Sequence, residues 1–222
     1  MLGMKLTVVY DNQAKEGLRS GWGFSCYIES PEKNILFDTG WDGHLLMDNM
    51  SKLSLSPEDV GILVLSHSHW DHIGGLPALL NENSDLEVYV PSGFSANLKN
   101  EISSKCRVLH EVKGPQELCP GVHTTGELGN DIKEQSLVLE SGGGIYVIAG
   151  CSHPGLRSIM DAASVFGDVK GIIGGLHDSL EYDQLAGMEL IGAGHCTQHK
   201  DRIREIYPDS FEDIFAGYVT EI

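Results

Sequence analysis

His67-Ser68-His69-Trp70-Asp71-His72 sets four side chains able to bind a metal ion within six consecutive positions. Histidine is a sparse residue, and His-x-His-x-Asp-His keeps metal-ligand spacing throughout, which a solvated polar loop has no reason to do. In an extended backbone successive residues point to opposite sides, so a loop through this segment can serve two ions, with His67 and His69 expected at one and Asp71 and His72 at a second. Imidazole and carboxylate together suit zinc first, and also manganese, iron or nickel, far better than calcium or magnesium. Two divalent cations about 3.5–4 Å apart can share a water and lower its pKa towards neutrality, giving a bridging hydroxide without any serine or cysteine nucleophile. On that chemistry Asp71 orients the nucleophile and accepts its proton.

The elements around this segment must deliver it. The apolar run Val60-Gly61-Ile62-Leu63-Val64-Leu65 reads as a buried strand with the ligands on the loop at its end, and Gly74-Gly75-Leu76-Pro77 opens a helix beyond. Trp70 reads as an ordinary core aromatic. Further strand patterns lie at Lys5–Tyr10, Phe24–Glu29, Asn34–Asp38, Leu86–Val90, Ser136–Glu140, Ile145–Ala149 and Val169–Ile173, with helical spacing over Gly43–Leu53 and Leu156–Phe166. Ser141-Gly142-Gly143-Gly144 lacks the Lys-Ser/Thr of a phosphate loop and predicts a hairpin turn. Periodicity alone supports a mixed α and β chain with one domain spanning residues 1–222.

Composition narrows the function classes. The 222 residues, 41% of them hydrophobic, suffice for one sizeable core. Fifteen Lys+Arg against 32 Asp+Glu give a formal charge of −17, and no basic run offsets it. A groove that tracks phosphates needs clustered Lys and Arg, so a small-molecule substrate is expected rather than nucleic acid. No stretch approaches the roughly 20 apolar residues of a membrane span, and Met1-Leu2-Gly3-Met4-Lys5-Leu6 enters a strand pattern without the features of a signal peptide. A cytoplasmic protein is expected. Cys26, Cys106, Cys119, Cys151 and Cys196 are odd in number and widely spaced, which favours reduced thiols.

Leu65-Ser66-His67-Ser68-His69-Trp70-Asp71-His72-Ile73-Gly74-Gly75-Leu76 resembles the signature of the metallo-β-lactamase superfamily, and Phe37-Asp38-Thr39-Gly40 resembles the Asp-Thr-Gly that precedes it. Gly150-Cys151-Ser152-His153-Pro154-Gly155, Gly174-Gly175-Leu176-His177 and Gly194-His195-Cys196-Thr197 are similar to one branch, as are Asp11-Asn12 and Gly23-Phe24-Ser25. That branch comprises dihydropteroate-synthase-like, or pterin–ribofuranosylaminobenzene phosphate synthase-like, metal-dependent hydrolases. The resemblance runs from Lys5 to Gly217. It implies a four-layer αββα sandwich, two sheets face to face with helices outside. It implies that His153 joins His67 and His69 at one metal, and that His195 joins Asp71 and His72 at a second. Cys151 stands where many members carry a bridging carboxylate, and reads equally as a metal-bound thiolate or a buried core thiol. His177 is a catalytic candidate, as a ligand, a substrate contact or a proton donor. Asp38 reads as the acceptor of a hydrogen bond from a ligand histidine, fixing its tautomer. The aspartic-protease reading of Asp38-Thr39-Gly40 needs two copies, and the chain has one. His44, His110, His123 and His199 have no motif support.

The activity this resemblance implies is metal-dependent hydrolysis of a small phosphoester, lactone or thioester, with a pterin-related synthase activity as what the branch name adds. Two alternatives stay open at this level: an iron-dependent oxidoreductase on the same scaffold, and a non-enzymatic metal- or ligand-binding protein.

Overall fold

Ile62, Leu63, Val64 and Leu65 are all fully buried, which a strand permits only when both of its faces are covered. A computed structural model describes residues 3–222 and shows the two covers. Strands β1 (Lys5–Tyr10), β2 (Ser25–Glu29), β3 (Asn34–Phe37), β4 (Val60–Val64), β5 (Glu87–Pro91) and β6 (Val108–Val112) form one sheet in that order. The second sheet runs in the order β13-β12-β11-β10-β9-β8-β7, from β7 (Gln116–Cys119), β8 (Val122–Thr124), β9 (Leu137–Ser141) and β10 (Gly144–Ala149) to β11 (Val169–Gly175), β12 (Leu190–Gly194) and β13 (Phe211–Asp213). A last strand, β14 (Val219–Glu221), returns to the first sheet beside β1.

Alternation within each strand sorts the side chains. Val8, Ile35, Phe37, Ile62 and Val64 face the second sheet and meet Leu137, Leu139, Ile148 and Ile173. Leu36, Leu63 and Leu65 face the other way. They pack under α1 (Gly43–Lys52), α3 (Leu76–Glu82) and α4 (Ala96–Ser103) through Leu46, Met50, Leu79 and Ile102. On the far side Val147, Ile172 and Ile191 are covered by Leu156 and Ile159 of α5 (Leu156–Ala163) and Ile203 of α6 (Lys200–Ile206). Helix, sheet, sheet and helix therefore stack as the expected αββα sandwich.

The helix ends follow local chemistry. Asp42 accepts the N–H groups of His44 and Leu45 at the start of α1, and Lys52 sits in its last turn. The glycine-rich segment is the hairpin turn expected, with Ser141 opposite Gly144 and positive φ at Gly142 and Gly143.

Three expectations change. Asp71 and His72 lie not on extended backbone but in a one-turn helix, α2 (Trp70–Ile73), where consecutive side chains diverge by about 100° instead of pointing to opposite sides as in a strand. Trp70 is 68% exposed, not a core aromatic, because the buried face of that turn carries His72 and Ile73. The helix expected to reach Phe166 ends at Ala163, with Ser164 as its cap. Among the described residues no helix is long and apolar enough to cross a membrane. The reading of the chain's start falls partly on Met1 and Leu2, which lie outside the described residues.

Strand direction brings the loops of interest to one edge of the sandwich. Strands β3, β4 and β5 run parallel, as do β10, β11 and β12. The segments leaving the carboxyl ends of β3, β4, β10, β11 and β12 carry Asp38, Ser66–His72, Cys151–His153, His177 and His195 respectively. Parallel strands bind ligands outside their carboxyl ends. Gly174, opposite Ala149, shows how tightly these ends approach: at φ +130 a β-carbon would fall inside contact distance of the Ala149 carbonyl oxygen. Gly174→Ala is expected to cost on the order of 2–4 kcal/mol in chemical denaturation. Gly114→Ala, with open space around it, is expected to stay within about 0.5 kcal/mol. Equal stabilities for the two variants would contradict the close approach.

Candidate metal centre

Three histidines gather on one side. His67 Nε2 lies 3.0 Å from His69 Nδ1, and His153 joins them with its ring 4.9 Å from His67 and 5.0 Å from His69. On the other side His72 Nε2 lies 3.2 Å from His195 Nε2. Asp71 Oδ2 is 3.4 Å from His195 Nε2 and 3.9 Å from His72 Nε2. Cys151 Sγ sits 3.1 Å from His72 Nε2 and within 4.8 Å of both His67 and His72, so it stands between the two groups. The structure thus brings together His67, His69, His153, Asp71, His72, His195 and Cys151. Asp38 lies just behind them. His177 stands at the rim, its ring 4.9 Å from His153 and its Nδ1 2.8 Å from Asp178 Oδ1. That group borders a cleft of about 300 Å³ lined by Ser152, His153, Gly155, His177 and Glu181.

The hydrogen bonds behind the cluster decide which nitrogens face it. Asp38, fully buried, accepts from Ser66 N at 2.7 Å, Ser66 Oγ at 2.6 Å and His72 Nδ1 at 2.6 Å. Ser66 gives its one hydroxyl proton to Asp38, so its oxygen accepts from His67 Nδ1 at 2.9 Å. Asn12 plays the same part for His195: Oδ1 accepts from Nδ1 at 3.1 Å while Nδ2 donates to the His195 carbonyl at 2.9 Å. In all three histidines Nδ1 carries the proton, and the Nε2 lone pair points inwards.

Backbone geometry is equally constrained. Among the described residues five non-glycine positions have positive φ, and four of them, Asp38, Ser152, His177 and His195, lie in these loops. Such conformations cost free energy and persist where surrounding contacts over-determine them. Glu134 supplies one such set of contacts, and nothing in the sequence marked it. Fully buried, it accepts the backbone N–H groups of Cys151, Ser152 and His153, each at 2.9 Å, and so shapes the loop that presents Cys151 and His153. Asp11 does the same for His195, accepting its N–H at 2.8 Å. Asp11-Asn12 was legible only as a motif fragment; Glu134, an isolated acid before β9, gave no signal at all.

Electrostatics leave most of the imidazoles neutral. Burial, then the neighbouring His72, His153 and His69, push His67 well below its ordinary pKa. Burial, with His69 and His177 adjacent, lowers His153 to about 4. Burial also lowers His195 and His69. At His72 burial pulls downwards, but the Asp38 carboxylate more than offsets it. Burial would raise Asp71, yet the hydrogen bond with His195 and the proximity of His72 hold it well below the usual carboxylate range. The hydrogen bond with Cys196, 3.4 Å away, and burial push the Cys151 thiol up. A nearby cation reverses that direction and favours the thiolate.

These residues fit metal ions. Four-coordinate zinc with bonds of about 2.0–2.1 Å separates its ligand atoms by about 3.3–3.4 Å, close to the spacings within each group. His153 Nε2 is buried with no hydrogen-bond partner among the described residues, a costly state for a polar atom unless a ligand takes the lone pair.

Fold and site together define the class. The sequence profile of the metallo-beta-lactamase superfamily matches residues 23–157, and the chain belongs to that superfamily. Among named relatives, the 7,8-dihydropterin-6-methyl-4-(beta-D-ribofuranosyl)-aminobenzene-5'-phosphate synthase of Methanocaldococcus jannaschii is 25% identical over 260 aligned positions, covering 90% of this chain and 88% of its own. A crystal structure described as a metal-dependent hydrolase of the beta-lactamase superfamily superposes with a TM-score of 0.77 at 25% identity over 99% of both chains. The metallo-beta-lactamase fold protein YhfI from Bacillus subtilis superposes with a TM-score of 0.73 over 100% of both chains at 13% identity, a likeness of fold.

Glu134→Gln tests the buried brace. Glutamine keeps the shape but offers one acceptor oxygen to three N–H groups, so zinc affinity is expected to fall by about 10–100-fold with the circular dichroism spectrum retained. Competition against a chromophoric chelator reads this, and unchanged affinity would remove Glu134 from the centre.

Proposed function

We propose that this protein is a binuclear, zinc-dependent hydrolase. His67, His69 and His153 would hold one ion, and Asp71, His72 and His195 the second, with Cys151 between them as a shared thiolate. One observation carries this reading: two three-residue groups, on either side of Cys151, each gather their ligand atoms within 4.8 Å, and the Nδ1 atoms of His67, His72 and His195 are held from behind by Ser66, Asp38 and Asn12. Two divalent ions in such a site supply an acidified water as nucleophile and polarise the bond under attack.

The chain's own residues account for the remaining steps. Asp71, ionised and half-buried, would hold the second ion and orient the attacking water through its carboxylate, a role its depressed pKa favours over taking up the proton. His177, its Nδ1 engaged by Asp178, is left with Nε2 to contact the substrate or deliver a proton to the leaving group. His67, fully buried behind His153 with ring centroids 4.9 Å apart, is shielded from bulk water.

The substrate we propose is a small phosphoester, lactone or thioester. The similarity to a synthase named for a 5'-phosphate compound favours the phosphorylated class, and supports pterin-related condensation as a second activity of the same site. A formal charge of −17 argues against nucleic acid. Five free cysteines suit a reducing, cytoplasmic setting.

Two variants and one metal assay test the reading. The parent protein is expected to take up two zinc ions per chain, and chelation is expected to abolish hydrolysis of model phosphodiesters and lactones, with zinc restoring it. Asp71→Asn is expected to bind one ion and lose activity by at least about 100-fold, and His153→Ala to lose the other ion. Full activity in the first variant, or unchanged stoichiometry in the second, would contradict the two-ion assignment. A single tightly held iron would replace hydrolysis by oxygen chemistry.

A further inference from the structure

All three tryptophans of the chain are exposed: Trp22 by 58%, Trp41 by 57% and Trp70 by 68%. An indole is an expensive group to leave in water, and bare aromatic faces beside a reactive centre mark ligand contacts. Trp22 and Trp41 share one cleft of about 570 Å³ with Arg19, Tyr10 and Asp42. That cleft adjoins the metal centre, because the Trp22 ring stands edge-on to His195 with centroids 5.4 Å apart.

The backbones carrying these groups are fixed while the groups themselves are bare. Gly21 N donates to Asp11 O and Gly23 N to Asn12 Oδ1, so Trp22 is held by the same two residues that hold His195. Gly40 N donates to Phe24 O, and Asp42, just beyond Trp41, caps α1. Arg19 is held through its N–H and carbonyl by the fully buried Asn49.

Arg19 also stands apart in charge. The chain has five arginines, Arg19, Arg107, Arg157, Arg202 and Arg204. The last four each reach a carboxylate within ion-pair distance. No described carboxylate pairs with Arg19, in a chain where acids outnumber bases 32 to 15. Asp42, the acid in the same cleft, already uses Oδ1 on the N–H groups of α1.

We propose that the Trp22–Trp41–Arg19 cleft is the recognition subsite for a planar aromatic ring bearing a phosphate group. The ring lies against the indoles, the phosphate pairs with the guanidinium, and the rest of the ligand extends past Trp22 towards His195. Stacking on exposed aromatic faces tolerates many flat heterocycles, whereas the charge-assisted contact to arginine selects those carrying the anion. The subsite rests on the hydrolase reading only for the direction in which the ligand extends.

The test is nuclear magnetic resonance on the full chain with ¹⁵N-labelled indoles, with and without zinc, the three N–H signals being assigned by Trp22→Phe, Trp41→Phe and Trp70→Phe. Adenosine 5'-monophosphate, adenosine and ribose 5-phosphate are the probes. The monophosphate is expected to shift the Trp22 and Trp41 signals and leave Trp70, which lines a different pocket with Leu98 and Ile102, unmoved. Adenosine and ribose 5-phosphate are each expected to bind about tenfold more weakly or less. Arg19→Gln, at an exposed position, is expected to weaken the monophosphate by about tenfold and leave adenosine unchanged. No shift at Trp22 and Trp41, equal shifts at all three indoles, or undiminished binding by Arg19→Gln would overturn the proposal. Because the shifts are read without zinc as well, a failed subsite and a failed metal centre give different results.

Discussion

Asp38 is a carboxylate shut away from water, and the rest of the centre hangs on how its charge is satisfied. An ionised acid at full burial is destabilising unless hydrogen bonds replace its hydration. Here Ser66 N, Ser66 Oγ and His72 Nδ1 supply them at 2.6–2.7 Å. Those three donors belong to the segment leaving β4, while Asp38 itself leaves β3. One interaction therefore ties two parallel strand ends together, sets the tautomer of His72 directly and that of His67 through Ser66. The left-handed backbone at Asp38, φ 58, fits the same demand, since Asp is among the few residue types that adopt it readily.

The second sheet repeats the device with other atoms. Glu134 is buried as completely as Asp38, but its two oxygens accept three backbone N–H groups and so control a loop rather than a ring. Asp11 and Asn12 divide the work for His195, one holding the main chain and the other the imidazole. Acids placed around neutral imidazoles make a region that favours cations without placing every acid on the ion. This separates holding the ligands in shape from binding the metal, and it explains why loops of poor intrinsic conformation are retained at Asp38, Ser152, His177 and His195.

How much of this was legible depended on sequence distance. His67, His69, Asp71 and His72 were readable because their spacing is local, although the helical turn that carries Asp71 and His72 was not. The strands were readable as apolar runs because both faces are buried, and the hairpin at Gly142-Gly143 followed from turn chemistry. His153 and His195 came through resemblance, since nothing in a linear pattern brings residue 195 beside residue 72. Glu134 was silent because its partners are main-chain N–H groups, which no side-chain pattern reveals. Trp22 and Trp41 were silent for the opposite reason: hydropathy counts an indole as core, and only the structure shows these two facing solvent beside His195.

X-ray absorption at the zinc edge of the metal-loaded protein tests the central claim most directly. The expected spectrum contains imidazole scattering with zinc–nitrogen distances of about 2.0–2.1 Å, together with a sulfur shell near about 2.3 Å from Cys151. A spectrum of oxygen ligands alone, without imidazole scattering, would contradict the assignment of these histidines as the residues that hold the ions.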